Sequence, residues 1–237
     1  MNYFVTGTDT GVGKTLISCA LLHAFAAQGK SVVGMKPVAA GCDEGELNED
    51  VKMLRAASNV LASLGQINPY SFFLPAAPHI AAHHAGVIIS LERILESYHE
   101  LASQAELVIV EGAGGFLVPL NETQDSADLA IAMNLPVILV VGMRLGCLNH
   151  ALLSTRAITA CGLNCAGWIA NIIDPDMLAL KDNIEALQHR IDAPLLGIVQ
   201  HGSPPDIHDI SAQLDINLLN QSPQRQDDQK IADGISI

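Results

Sequence analysis

Short apolar runs alternate with longer stretches of mixed polarity along this chain. Tyr3-Phe4-Val5, Ser31 to Lys36, Leu107 to Glu111, Leu135 to Val141, Asn164 to Asn171 and Pro194 to Val199 are brief, and most are rich in Val, Ile and Leu. Runs of that length and composition read as strands. Between them, Leu16 to Ala27, Glu49 to Ser63, His79 to His84, Ser90 to Gln104, Ser126 to Met133, Leu148 to Ala160 and Met177 to Arg190 read as helices. Pro37 stops one strand, Ser90 opens a helix as its cap, and Gly162 ends another. Val38 to Asn48 reads as a loop. Asn68 to Pro78, with three prolines beside Tyr70, Phe72 and Phe73, reads as an ordered loop. The strands are continuously apolar rather than alternating, so both faces of their sheet must be covered. The expected fold class is α/β: a mainly parallel sheet with helices on both faces, in three layers. Residues 1–220 form one domain on this reading, and the polar stretch from Gln221 to Ile237 forms a tail.

Composition narrows the function. Aromatic residues are 4% of the 237, so the core is aliphatic. The net charge of −13 argues against a nucleic-acid partner, which needs clustered basic surface. Mean hydropathy is +0.31. The longest strongly apolar run, Leu135 to Val141, is broken by Pro136 and falls far short of the ~20 residues a membrane helix needs. No membrane partner is expected. The five cysteines are odd in number and form no Cys-x-x-Cys pair, and no basic leader precedes the first strand. Reduced thiols and a cytoplasmic location follow as expectations.

The chemistry begins at Thr6-Gly7-Thr8-Asp9-Thr10-Gly11-Val12-Gly13-Lys14-Thr15, between the first strand and the first helix. A strand, a glycine-rich turn, Gly-Lys-Thr and a helix make a phosphate-binding P-loop. Glycines let backbone N–H groups turn onto phosphate oxygens, and the helix adds its positive end. Lys14 is placed for the β- and γ-phosphates, and the Thr15 hydroxyl for Mg²⁺. In the strict pattern the first glycine falls where Thr8 stands; here it is Gly7. Other strands also end in functional groups: Lys36, Glu111 before Gly112-Ala113-Gly114, and Asn171. In a parallel sheet these meet at one edge, where ligands bind. Thr15 and Glu111 suit a hard cation with a nucleotide. Asp50 is either a further carboxylate for that cation or an acid favouring a helix N-terminus. Lys36 beside a phosphate site suits electrostatic catalysis. His79, His83 and His84 have the spacing of a zinc pair, but no adjoining Glu or third ligand accompanies them, so packed or solvated histidines are expected.

The pieces Tyr-Phe-Val-Thr-Gly-Thr-Asp-Thr, Val-Gly-Lys-Thr, Met-Lys-Pro-Val-Ala-Ala-Gly, Asn-Pro-Tyr with Pro78-His79, Val-Glu-Gly-Ala-Gly-Gly, Leu-Pro-Val-Ile-Leu-Val-Val-Gly, Leu-Gly-Cys-Leu-Asn-His-Ala, Gly-Trp-Ile-Ala-Asn and Ala-Pro-Leu-Leu-Gly follow one another from Tyr3 to Gly197. In that order the chain resembles the ATP-dependent dethiobiotin synthetases of biotin biosynthesis. The resemblance implies a P-loop NTPase-like homodimer, with MgATP, CO₂ and 7,8-diaminononanoate as ligands and dethiobiotin, ADP and phosphate as products. It implies catalytic roles for Lys36 and Lys14, and a magnesium site of Thr15, Asp50 and Glu111. Gly11, Val12, Gly13, Lys14, Thr15 and Leu16 would wrap the phosphates, and Gly112, Ala113 and Gly114 would line the nucleotide edge. Asn171, with Ile172, would recognise adenine. Thr10 and Lys36 would hold the diamine, and backbone N–H groups of Cys147, Leu148 and Asn149 its carboxylate, across the dimer. Two departures stand out: many members have serine where Ala40 stands, and Gln200-His201-Gly202 fills the second adenine-side loop. A regulatory ATPase that positions membrane or DNA cargo is the main rival. Its P-loop carries an extra lysine where this chain has Asp9.

Overall fold

The structure, a computed structural model, describes residues 1–42, 47–202 and 206–220. The elements in chain order are β1 (Tyr3–Gly7), α1 (Lys14–Ala27), β2 (Val32–Met35), β3 (Val38–Ala40), α2 (Glu49–Ala57), α3 (Leu64–Ile67), β4 (Tyr70–Phe72), α4 (Pro78–His84), α5 (Leu91–Gln104) and β5 (Leu107–Gly115). They continue as α6 (Ser126–Met133), β6 (Val137–Met143), α7 (Cys147–Ala160), β7 (Cys165–Ile172), α8 (Leu180–Gln188), β8 (Leu195–Val199), α9 (Ile207–Ala212) and a 3₁₀ turn at Ile216–Asn220. Six strands form one sheet in the order β2-β5-β1-β6-β7-β8. Every pairing in it is parallel.

Alternate side chains of the central strands feed separate cores. Tyr3 and Val5 pack with Ile17, Leu21 and Phe25 of α1 on one face. Phe4, Val108 and Val110 pack with Ile94 and Leu101 of α5 and Ala130 of α6 on the other. Leu139, Val141 and Trp168 form a third cluster with Ala151 of α7 and Leu187 of α8. This is the expected three-layer architecture. Among the described residues no helix is long and apolar enough to cross a membrane, and all five cysteines are free.

Several boundaries differ from the sequence reading. The Val38 to Asn48 loop begins with β3, and the Asn68 to Pro78 loop contains β4; the two pair in parallel as a small second sheet. Neither has a local signal of its own. They are stitched through Asn68, whose amide donates to the Lys36 and Tyr70 carbonyls at 2.7 and 2.9 Å. The helix expected from Glu49 to Ser63 ends at Ala57. Its C-terminal residues serve the edge strand instead: Ser58 Oγ accepts from Gly34 N–H at 3.0 Å, and Asn59 Oδ1 from Val32 N–H at 2.7 Å. Satisfying an exposed strand edge outweighs another helical turn. α3 then opens with a capping box of Ser63 and Gln66. Gly112 to Gly115 extend β5 rather than leaving it. The helix expected from Met177 begins at Leu180, and α9 and the 3₁₀ turn follow what was read as the last strand. The tail expected from Gln221 lies outside the described residues.

The segment after β8 closes tightly on the sheet. A Cβ at Gly197 would come 2.4 Å from the Gln213 carbonyl oxygen and 2.9 Å from Leu214 Cδ2, while Asp215 N–H bonds the Leu196 carbonyl at 2.7 Å. Backbone cannot yield as a side chain can. Gly197→Ala is therefore expected to destabilise the fold by about 1–3 kcal/mol, measured by urea unfolding. An unchanged midpoint would show that the turn at Gln213 to Asp215 is not seated on β8 as described.

Candidate functional site

The carboxyl edge of the sheet gathers the polar chemistry. Gly7, at the end of β1, has no room for a side chain: a Cβ would meet Val12 Cγ2 at 2.6 Å. The next position does hold one usefully, because Thr8 Oγ1 accepts from Gly142 N–H at 3.3 Å. This explains the glycine lying one place early. Gly11 and Gly13 adopt φ of 73° and 88°, the left-handed region that glycine enters without strain. Asn171, at the end of β7, donates its side-chain N–H to the Val12 carbonyl at 2.8 Å and holds the loop from behind. Its amide nitrogen would stand 2.2 Å from a Cβ at Gly13.

Lys14 begins α1 and is 6% exposed. Its ammonium donates to the Asp9 carbonyl at 3.0 Å. Burial and then the charge of Lys36 push it down from 10.5 to about 8, against the pull of Glu111, Asp50 and Asp9. Lys36 leaves β2 and is buried. Its Nζ lies 2.6 Å from Glu111 Oε1 and 2.8 Å from Asp50 Oδ2. Burial works against that ammonium, but Glu111 and Asp50 outweigh it and hold it above the ordinary lysine range. Asp50 shows the complementary shift: burial alone would raise it, but Lys36 and Thr15 hold it below the usual carboxylate range. In α2 the cap is Asn48, which accepts from Asp50 N–H. The Asp50 side chain thus turns into the site.

Glu111 is fully buried. Thr15 Oγ1 donates to its Oε1 at 2.8 Å, the same oxygen that Lys36 uses, while Oε2 has no partner. A buried carboxylate oxygen left without a partner is costly. Among the described residues no three His, Cys, Asp or Glu side chains gather to hold a metal. A donor set here must therefore include the Thr15 hydroxyl. Thr15, Asp50 and Glu111 offer only oxygens, beside an orphaned carboxylate oxygen, and this fits Mg²⁺.

A cavity of about 870 Å³ runs along this edge. Thr10, Gly11, Gly13, Lys14, Thr15, Leu16, Lys36, Asp50, Glu111, Ala113 and Gly114, all expected from the sequence, line it. Others do not. Val12 is buried, Gly112 packs on Phe4, and Ile172 lies in the core. Asn171 stands behind the P-loop, and Cys147, Leu148 and Asn149 open α7 outside the cavity wall. The sequence reading missed the apolar end, formed by Val38, Met53, Pro75 to Pro78 and Val118 around Ala40. The proline- and aromatic-rich ordered loop was its one visible cue. The cavity thus joins a charged end to an apolar one.

The Lys14 shift has a measurable consequence. Between about pH 8 and 10.5 the unfolded chain keeps a proton that folded Lys14 has released. Stability attributable to this group therefore rises with pH in that window. Tyr3, Cys19 and Cys165, all pushed up chiefly by desolvation, act in the opposite sense. The comparison with Lys14→Met cancels them. The unfolding free energy of the wild type minus that of Lys14→Met should increase by on the order of 3 kcal/mol across the window. A flat difference in pH-resolved denaturant melts would refute the buried-cation reading.

Comparison with known proteins agrees with this geometry. A family model described as an AAA domain matches residues 1–205. The ATP-dependent dethiobiotin synthetase BioD of Nitrosospira multiformis is 57% identical over 220 residues, covering 93% of this chain and 97% of that protein. Those of Aromatoleum aromaticum and Xylella fastidiosa are 56% and 50% identical over 90% and 87% of this chain, and 96% and 92% of their own lengths. Among solved structures, a ParA family ATPase from Chlorobium tepidum is 16% identical, with a TM-score of 0.57 over 90% of this chain and 99% of its own. The MinC:MinD cell division complex of Aquifex aeolicus is 15% identical, with a TM-score of 0.53 over 89% and 86%. These two share the fold alone. On the relatives' sequence identity and coverage, the chain belongs to the ATP-dependent dethiobiotin synthetase family, on a P-loop α/β/α fold.

Proposed function

We propose that this chain uses ATP to join CO₂ to 7,8-diaminononanoate and close the ureido ring of dethiobiotin, as an ATP-dependent cyclo-ligase. The observation that carries the reading is Lys36. It is a buried ammonium between Glu111 and Asp50, in a cavity whose other end is apolar. One amine of the substrate takes up CO₂ as a carbamate, losing a proton. A carbamate oxygen then attacks the γ-phosphorus, and ADP leaves. The second amine attacks the carbonyl carbon of the resulting carbamic–phosphoric anhydride and expels phosphate. Each step builds or moves negative charge on oxygen, so fixed cations and fixed geometry can supply the catalysis without a covalent enzyme intermediate.

Lys36 faces the carbamate and the transferring phosphoryl group. Lys14 stabilises the phosphates, with the N–H groups of Gly11 to Leu16 around them. Thr15, Asp50 and Glu111 would hold Mg²⁺, which supplies charge neutralisation at the phosphates. Thr10, which lines the cavity, would contact the diamine, and the aliphatic chain suits the wall of Val38, Met53 and Pro75 to Pro78. The Asn171 amide nitrogen is committed to Val12. Its carbonyl oxygen is then the group available to accept from the adenine amine, with Ile172 contributing backbone only.

The chain acts as a homodimer in this reading. Leu117, Leu145 and Leu153 are 57%, 94% and 57% exposed, and a second copy would cover them. The N–H groups at Leu148 and Asn149 would then take the substrate carboxylate of the partner's site, since the Cys147 N–H is committed to the Arg144 carbonyl. We place the enzyme in the cytoplasm, as a single domain through residue 220.

The test incubates the protein with MgATP, bicarbonate and 7,8-diaminononanoate, following phosphate and dethiobiotin together. Phosphate release should require the diamine and match dethiobiotin mole for mole. Lys36→Met should lower kcat by about 10²–10³. Phosphate release indifferent to the diamine, with no ureido product, would overturn the reading.

A further inference from the structure

Asp9 is tied at three points. Its Oδ1 accepts from Thr10 N–H at 2.7 Å, its backbone carbonyl accepts from Lys14 Nζ at 3.0 Å, and its Oδ2 pairs with the Arg144 guanidinium. Arg144 directly follows β6, and its carbonyl accepts from Cys147 N–H at 3.0 Å, which fixes the turn into α7. Both side chains of the pair are 45% exposed. An ion pair this open contributes little to stability. Its location suggests a different role. Asp9 builds the P-loop turn by holding Thr10 N–H, but its carboxylate places a negative charge in a loop that must receive a polyanion.

We propose that Arg144 is a positioning residue for the nucleotide: it neutralises Asp9 and fastens the P-loop to the end of β6, so that the loop keeps its shape without repelling the triphosphate. A second tie from the same strand, Gly142 N–H to Thr8 Oγ1, holds the preceding residue. β6 thus supports the loop from the side, as Asn171 of β7 does from behind. An asparagine at position 9 would still accept from Thr10 N–H but would carry no charge for Arg144 to cancel.

That distinction gives the test. KM for MgATP, kcat and Tm are measured at low and high ionic strength for the wild type, Arg144→Met, Arg144→Lys, Asp9→Asn and the Asp9→Asn/Arg144→Met double variant. Arg144→Met should raise KM for MgATP about tenfold at low salt. The rise should shrink at high salt, where exposed charges are screened, with kcat and Tm nearly unchanged. Arg144→Lys should recover most of the loss. The double variant should return KM to within about threefold of wild type. If Arg144→Met leaves KM unchanged, the pair is an ordinary surface contact and the proposal fails. If the double variant keeps the full defect, Arg144 acts on the nucleotide directly, and the proposal fails in that way. The inference rests on ATP occupying the P-loop, and Lys14→Met is the control for that. If Lys14→Met does not weaken a non-hydrolysable ATP analogue, the nucleotide site itself is misplaced.

Discussion

A carboxylate fully buried at the end of a central strand is the constraint around which the site is arranged. Glu111 lies opposite Val5 in the register of β1 and β5 and is closed off from solvent. Burying such a charge costs several kcal/mol unless it is paired and hydrogen-bonded. Lys36 and Thr15 do this from separate elements, both at the same oxygen. Lys36 is held in turn by its backbone: its N–H bonds the Ile67 carbonyl at 2.8 Å, and its carbonyl accepts from Asn68. The short α3 and the small second sheet are therefore the scaffold of one lysine. Stability alone does not account for the arrangement, since a buried ion pair seldom outperforms apolar packing. The arrangement suits the role proposed for the ammonium in a reaction that develops charge on oxygen.

The P-loop is pre-shaped by its neighbours. β5 reaches it through Glu111 and Thr15, β6 through Gly142 and Arg144, and β7 through Asn171. Gly11 and Gly13 take the left-handed turns, and at Gly13 Asn171 leaves no space for a side chain. A loop fixed on three sides presents its N–H groups without reorganising, which makes those dipoles effective toward phosphate. The same packing buries Lys14, and that burial first, then the charge of Lys36, depresses its ammonium. An arriving polyanion would favour the charged ammonium again.

What was legible in the residues follows the range of the forces involved. The six sheet strands were readable because burial on both faces makes each a continuous apolar run. β3 and β4 were not, because each is three residues long and exists only through its pairing with the other. The overlong helix after Glu49 had a sound periodicity; its end was set by the needs of β2, to which Ser58 and Asn59 contribute their side chains. Asp50 was ambiguous for a physical reason: an acid in a first helical turn serves the dipole and a cation alike, and only its contact with Lys36 separates the two. Arg144 was invisible because its partner lies 135 residues away and Arg144 itself belongs to no recognised pattern.

The likeness to ParA and MinD ATPases covers most of the chain and still does not identify the reaction. The reason lies in how the cavity is divided. Its phosphate end comes from the P-loop, joined by Lys36 after β2 and Glu111 of β5. Its other end comes from the segment between β2 and α5, where Val38, Ala40, Met53 and Pro75 to Pro78 supply an apolar wall. That wall does nothing for a phosphate and suits an aliphatic chain. Ala40 continues that wall with a methyl group. On the proposed function, substrate choice would reside in the stretch that the strand pattern describes least well, and the ATP chemistry in the stretch it describes best.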